Sequence, residues 1–557
     1  MTKAHSAEPL SPFHRCRRAI MIAQDTNLHV LMLVGHGFRD DAFFGTNVAK
    51  PSHKTIILPT MGRSLLFFVF SLICLLSNAQ SRVELIGADE LSGLNQNGEK
   101  LVRLIGNVAF RHDKTIMRCD SAYQNKAANT FEAFGNVDIN ENDSVHLNSR
   151  YLHYDGNEKK ALVREEVHMT DGQMTLTSTQ LDYNLSSRTA YYTNGAHVVN
   201  QDNVLDSKIG TYDANSKTFG FKKDVVLVNP DYVLKTDTLQ YNTQSKTAWM
   251  FGPTTITNKD GYLYCENGWY NTYTQRAHFS RNAYVINKEN RLNADSLIYG
   301  GKIGRDTALG NVHFSDSINH IVIHGGRGLY NRKQGIATIT INPLASVKME
   351  EDSLHIGADT LRSVEDSLKR KSIFAFHHVR MFKSDMQGIC DSMHYSQKDS
   401  MIYMEIDPVL WNESRQMFAD SIHIRVVKNK VDRSDFIDNA LIIEEVDTGL
   451  YNQLRGRTIN AWFYNNHLEQ ILVTGNAENV YFQEDDSVTI SSMNYIICSD
   501  IRILFDTAGK AEEITYLGQS EGTDYPINKL PGGEKQELKG FVWRIAERPR
   551  SKADVMQ

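Results

Sequence analysis

Apolar and polar positions alternate along much of this chain in short runs, and the runs recur. Ala337-Thr338-Ile339-Thr340-Ile341-Asn342 alternates residue by residue, which is the period of a strand with one buried face. The runs are rich in Val, Ile, Thr and Tyr and are separated by clusters of Asn, Asp, Gly and Ser, the punctuation of strands and turns. No stretch sustains the 3.6-residue period of an amphipathic helix. The pattern predicts an all-β protein.

The runs are copies of one unit. Tyr154, Tyr183, Tyr212, Tyr241, Tyr270 and Tyr299 are spaced 29 residues apart. Ahead of each stands Leu, any residue, then a small residue, as in Leu147-Asn148-Ser149, Leu176-Thr177-Ser178 and Leu263-Tyr264-Cys265. Looser copies include Cys119-Asp120-Ser121-Ala122-Tyr123 and Cys390-Asp391-Ser392. A second marker is Gly106-Asn107-Val108, Gly135-Asn136-Val137 and Gly310-Asn311-Val312; in other copies its slot holds Glu166-Val167, His197-Val198 and Asp224-Val225. A unit therefore reads as a turn, a short strand from Val, a polar turn, a strand carrying Leu-x-small, and a strand ending at Tyr. Leu176 and Tyr183 are an odd number of residues apart, so a bend or bulge must lie between them if both point inward.

With 557 residues the chain is too long for one compact core. A stack of repeats, each packed only on its neighbours, accounts for the length. About 14 units fit between residues 100 and 520, and one layer of about 4.8 Å per unit would give a stack on the order of 70 Å. Net charge is -6, with 60 Lys and Arg against 66 Asp and Glu; the balance excludes a basic nucleic-acid binder. Leu65 to Leu76 is strongly apolar, follows Arg63 and precedes Ser77-Asn78-Ala79. It is too short to span a bilayer as a helix and reads as a secretory signal. Met61 is the expected start of that signal (61–80), and 1–60 is read as a spurious or disordered extension. The β repeats then run from 81 to 430, with further repeats from 431 to 520 and a tail from 521 to 557. Four cysteines follow the signal: Cys119, Cys265, Cys390 and Cys498. Three of them share one slot of the repeat, which favours small buried residues over disulfide partners.

Candidate chemistry is sparse. There is no Gly-x-Ser-x-Gly elbow, phosphate-binding glycine loop or His-Glu-x-x-His. His377-His378 would point to opposite faces of a strand, a poor metal site. His394 and His423 share a repeat slot and read as solvent-facing rungs. The Asp-Ser and Asp-Thr pairs at 120, 237, 295, 359, 391 and 420 suit turns and strand ends. No catalytic residue, metal site or cofactor is expected.

The unit Gly-Asn-Val … Leu-x-small-Asp-x-Leu-x-Tyr … Gly-x-Val resembles the repeat of the OstA-like family, which includes LptA, LptC and the N-terminal domain of LptD. The resemblance covers roughly residues 100–430. The later Asn452 to Arg457, Gly475 to Phe482 and Gly540 to Arg544 segments resemble the tail of long Bacteroidetes OstA-like proteins. It implies an extended antiparallel β-jelly-roll, V-shaped in section, with acyl chains in the groove. Val108, Val137, Val167, Leu176, Val198, Leu205, Val225, Leu234, Leu263 and Leu292 would line that groove, and the Tyr rings would stack with hydroxyls at the rim. The implied function is a periplasmic lipid-binding bridge in lipopolysaccharide transport and outer-membrane assembly, located in the periplasm or at the outer membrane. The implied partners are the lipid A acyl chains of lipopolysaccharide, and LptC-like and LptD-like proteins joined by strand addition at sheet edges, with head-to-tail self-association as a further option. Other readings of the residues stay open: a structural or adhesive β-solenoid without cargo, a right-handed parallel β-helix, a leucine-rich repeat, and a carbohydrate-active β-helix.

Overall fold

The computed structural model describes residues 81–96, 98–141, 145–259, 261–287, 290–349, 352–368, 370–427, 430–464, 467–484, 489–507 and 511–556. The expected signal and the extension before it lie outside the described residues. The chain divides into two compact units between Lys246 and Thr247.

In the first unit, long strands follow one another as antiparallel neighbours: Glu99–His112, Thr115–Asn125, Thr130–Glu141, Val145–Asp155, Lys160–Thr170 and Thr175–Asn184. The second unit repeats the scheme from Thr247–Thr257, Gly261–Asn271 and Ala277–Asn287 through to His467–Glu484 and Ile490–Phe505. Antiparallel pairing excludes the parallel β-helix and leucine-rich readings. It also corrects the expected unit: 29 residues make two long bent strands rather than three short ones. Each repeat of the first unit therefore adds about 10 Å of strand spacing instead of about 5 Å.

The bend is the two-against-one bulge that the Leu176–Tyr183 spacing demands. Pairing runs Arg164↔Gln180 and then Val167↔Ser178, so Glu165 and Glu166 face Thr179 alone. Leu176 and Tyr183 are both buried on the inside. The same shift recurs at Ile105/Val108, Phe134/Val137, Lys222/Val225, Leu309/Val312 and Ile437/Ala440. The paired bulge residues are left-handed: φ is 70° and 39° at Gly135-Asn136, 63° and 51° at Glu165-Glu166, and 57° and 50° at Asp438-Asn439. Two successive left-handed residues turn the strand sharply, and Gly, Asn and Asp adopt that region at least cost.

Each strand is thus cut into halves that lie in two facing layers. One holds Val108 to His112 and its neighbours, the other Tyr151 to Asp155 and its neighbours; they are called here the Val layer and the Tyr layer. Their inner faces touch, with the Phe110 and Phe131 rings stacked at 4.0 Å.

The repeated Asp residues sit at this corner, not in turns. Asp120 is the single residue opposite Gly135-Asn136 and accepts a hydrogen bond from Asn136 Nδ2 at 2.9 Å. Asp295 accepts from Asn311 at 3.0 Å and Asp420 from Asn439 at 3.0 Å. The acid therefore fixes the side chain of the left-handed residue in the neighbouring strand. His377 and His378 fill one of these corners as well. They pair with different acids, Asp391 at 2.8 Å and Asp359 at 2.9 Å, because the bend takes them out of the strand ladder. His394 and His423 lie on either side of Tyr403 in one aromatic row, with ring centroids 4.4 and 4.8 Å from it, and both are half-buried.

The corner gives a direct test. A Cβ on Gly135 would stand 2.4 Å from Asp120 Oδ2, at φ +70°. Gly135→Ala should cost about 1–3 kcal/mol, read as a lower urea midpoint. Gly93→Ala, with nothing within 4 Å of its Cβ, should stay within about 0.5 kcal/mol of the parent.

Candidate functional site

The space between the layers is the candidate site, and strand register decides its lining. Beside the corner, the first row of the Val layer sets Val108 opposite Cys119, Val137 opposite Ser149, Val167 opposite Ser178 and Val225 opposite Thr236. A branched residue thus meets a small one across each strand pair. The second row runs Phe110, Met117, Ile139, Leu147, Met169, Leu176, Val198, Leu205, Leu227 and Leu234, each directly opposite the next. It is apolar without interruption.

The expected groove residues fall into both rows. Val108, Val137, Val167 and Val225 are in the first; Leu176, Val198, Leu205 and Leu234 are in the second. Val198 is displaced from its assumed slot. Its partners are Leu176 and Leu205, and Ala196, opposite Ser178 and Ser207, takes the position beside the corner. The intervening Thr193-Asn194-Gly195 makes a looser bend there, which sets the count off by two. Phe110, Ile139 and Met169 escaped the sequence reading, although each lies two residues beyond a marker Val and follows from strand alternation.

Burial separates the lining into two kinds. The eight expected residues of the first unit are 0–7% exposed. In the second unit, Leu263 and Leu292 are half-buried, as are Ile256 and Val285. These four form one row, Ile256 opposite Leu263, then Val285, then Leu292. The row continues to Phe314, which is buried again. The second unit thus has a short stretch of inner apolar surface within reach of solvent.

The Tyr layer carries the matching row. Tyr154, Ala161, Tyr183, Ala190, Tyr212 and Phe219 stand opposite one another in that order. Alanine between successive tyrosines leaves room for the rings, and all three Tyr are buried. Their hydroxyls cross to the outer ends of the Val layer. Tyr154 meets His112 Nδ1 at 2.6 Å, Tyr183 donates to Glu141 at 2.5 Å, and Tyr212 donates to Asp171 at 3.1 Å. Ion pairs Lys159–Asp113 and Arg188–Glu141 lie along the same line. On the side away from the corner, the first unit is therefore laced shut by hydroxyl–carboxylate and cation–carboxylate contacts. Burial raises the Tyr154, Tyr183 and Tyr212 hydroxyls far above the usual phenol range, so they remain protonated donors. Burial also holds the His112 imidazole below its ordinary value.

All four cysteines face the interior next to the corner: Cys119 opposite Val108, Cys265 opposite Thr254, Cys390 opposite Val379 and Cys498 opposite Ala477. They are free thiols. Burial pushes Cys119, Cys265 and Cys390 up to about 12, which leaves them unreactive.

Comparison with known proteins bears on the same residues. Residues 80–237 and 231–295 match the family described as OstA-like protein. This region of the chain is OstA-like. The OstA-like region contains the whole laced interior of the first unit and the half-exposed row of the second. Among solved structures, the chain is similar to LptH, described as the LptA homologous periplasmic component of the conserved lipopolysaccharide transport device from Pseudomonas aeruginosa. Identity is 11%, over 18% of this chain and 76% of that one, with a TM-score of 0.17. No curated protein matches the chain.

The lacing makes two predictions. Tyr183→Phe removes a donor from a carboxylate that is largely shielded, a loss of about 1.5–3 kcal/mol. Amide hydrogen exchange should accelerate in 137–141 and 181–184; unchanged exchange would mean that the contact is open in solution. For His112, the folded pKa lies below the unfolded value, so the unfolded chain binds more protons in the window between them. Stability from this group is present above about pH 6.5 and is lost as pH falls from there toward the folded value. Protection factors at 110–112 and 152–154, taken relative to the intrinsic exchange rate at each pH, should be lower at pH 5.5 than at pH 7.5, and His112→Gln should flatten that difference.

Proposed function

We propose that the protein is a periplasmic lipid-binding bridge in lipopolysaccharide transport to the outer membrane. The observation that supports this reading best is the second inner row. From Phe110 to Leu234 every strand of the Val layer presents an apolar side chain there, within the OstA-like region. A row of that kind can hold acyl chains without specific polar contacts, since each buried methylene contributes about 0.8 kcal/mol. The half-buried Ile256, Leu263, Val285 and Leu292 are the surface on which cargo meets the interior of the second unit. In the laced first unit, acyl chains run lengthwise between the layers and the Tyr–carboxylate contacts open to admit them.

In this reading the partners are LptC-like and LptD-like proteins, which add strands at free edges. Among the described residues, Glu84–Gly87 and Glu90–Gln96 pair only with Glu99–His112. Ala511–Leu517 and Glu521–Pro526 pair only with Ile490–Phe505. Leu91 and Leu94 at one edge, and Ile514 and Leu517 at the other, are exposed, as an added strand would require.

One observation favours a second reading, a β-solenoid without cargo: most of the expected groove residues are already packed. Photo-crosslinking separates the two. A crosslinking residue at Leu176, Leu263 or Leu292 should capture lipopolysaccharide, and one at Lys235, on the outer face, should not. Yields should be highest at Leu263 and Leu292. Absence of adducts at all three Leu positions in folded protein would establish the second reading.

A further inference from the structure

The last part of the second unit is built differently from the rest on its outer face. In the first unit, the outer row of the Val layer reads Arg118, Asp138, Asn148, His168, Thr177, His197 and Asp206 in strand order, and most of these are exposed. In the second unit, an outer row reads Gln387, Trp411, Gln416, Ile443, Gln453 and Val480, again each opposite the next. Glutamine and apolar residues alternate strictly. Trp411, Gln416, Ile443 and Val480 are fully buried, although they face away from the interior.

What covers them is the chain's own C-terminal segment. It crosses the strands and makes no ladder with them. Gln453 grips it first: its Nε2 donates to the Gln536 carbonyl at 2.7 Å and its Oε1 accepts from the Leu538 N–H at 2.8 Å. Gln416, two strands further on, repeats the grip on Val542 and Arg544, both bonds at 2.7 Å. Gln387, two strands beyond, accepts from Arg548 Nε at 2.7 Å. Leu538 joins Leu441, Ile443, Val480, Phe482 and Met493 in a buried cluster, and Phe541 and Trp543 bracket the Tyr451 ring at 5.2 Å. Arg544 pairs with Asp407 at 2.8 Å.

Two of these glutamines read the carbonyl of residue n and the N–H of residue n+2, which is how a side-chain amide recognises an extended main chain. The apolar residues between them supply pockets. This is the chemistry of a peptide-recognition surface, and residues 527–535, which tie the segment to the last strand, are exposed almost throughout. An emptied face would leave Trp411, Ile443, Val480 and Phe482 in water, so the physics favours exchange of occupants over vacancy. We propose that this outer face is a peptide-acceptor surface, that residues 536–555 are its ligand rather than a fixed part of the fold, and that the same segment of a second copy can take their place. Two copies would then be joined by exchanged tails.

The test keeps the whole chain. A protease site is placed between Pro531 and Gly532, the folded protein is cut there, and a fluorescent peptide of residues 534–557 is added in excess. The cut tail should stay with the body on gel filtration and be replaced by the labelled peptide. A labelled peptide carrying Leu538→Asp, which leaves the body untouched, should compete about tenfold or more less well. The Gln416→Ala/Gln453→Ala chain, shown by circular dichroism to keep its β signal before cutting, should lose the tail on cutting. A tail that stays but never exchanges would be a fixed structural strap and would overturn the proposal. So would loss of the tail from the parent chain, or exchange indifferent to Leu538→Asp or to the two glutamines.

Discussion

The structure depends on one local constraint: each long strand must bend sharply while keeping its side chains facing inward. A straight strand places residues an odd number apart on opposite faces, and the repeat sets its Leu and Tyr an odd number apart. Two left-handed residues facing one extended residue remove the conflict, because they change direction and parity together. Gly-Asn is the least strained way to build the pair, and Glu165-Glu166 shows that the surrounding ladder can impose it on less willing residues. Where Asn fills the pair, the acid opposite pins the arrangement from the adjacent strand, as Asp120, Asp295 and Asp420 do. Folding of each repeat and the existence of an interior both follow from that bend.

Facing layers joined at a corner leave an open side, and the two rows of side chains treat it differently. The second row of the Val layer contributes a continuous apolar surface with no polar group to orient a ligand. The Tyr layer contributes rings that fill the interior and hydroxyls that reach the opposite rim. The hydroxyls need their carboxylate and imidazole partners because an unpaired donor there would be costly, and the same contacts hold the layers together. The lipid-carrying role proposed above would require those contacts to be individually weak and easily broken one at a time. Single hydrogen bonds and partly screened ion pairs meet that need, whereas disulfides would not, and the four cysteines are set singly beside the corner.

Much of this was legible in the sequence because it is periodic. The spacing of Tyr154 to Tyr299, the Leu-x-small triplets and the parity argument were enough to give strands, inward faces and a bend at the correct place. Where the period carried an irregularity, the reading slipped. Val198 matches the slot beside the corner in sequence, yet Ala196 occupies it, because Thr193-Asn194-Gly195 lengthens the bend without changing the overall repeat. Asp120 and its equivalents read as residues of turns and strand ends, since a corner in mid-strand has the same local composition. The sequence leaves open whether the C-terminal segment caps an edge or docks on a partner, and the outer face that it covers was out of reach. Gln416 and Arg544 are far apart in the chain, and nothing near either residue announces the other; only the assembled face shows that the glutamines line up.

Because one repeat is two antiparallel strands carrying one corner, it is also the smallest piece that can be added or removed. Losing a single strand would reverse the direction of everything after it and leave a corner without its partner. Losing a whole repeat would restore the same edge, polarity and inside-out pattern one step back. Length within the first unit is therefore counted in whole numbers of 29 residues, each worth about 10 Å of strand spacing, so duplication or deletion of one repeat leaves both of its flanking edges unchanged.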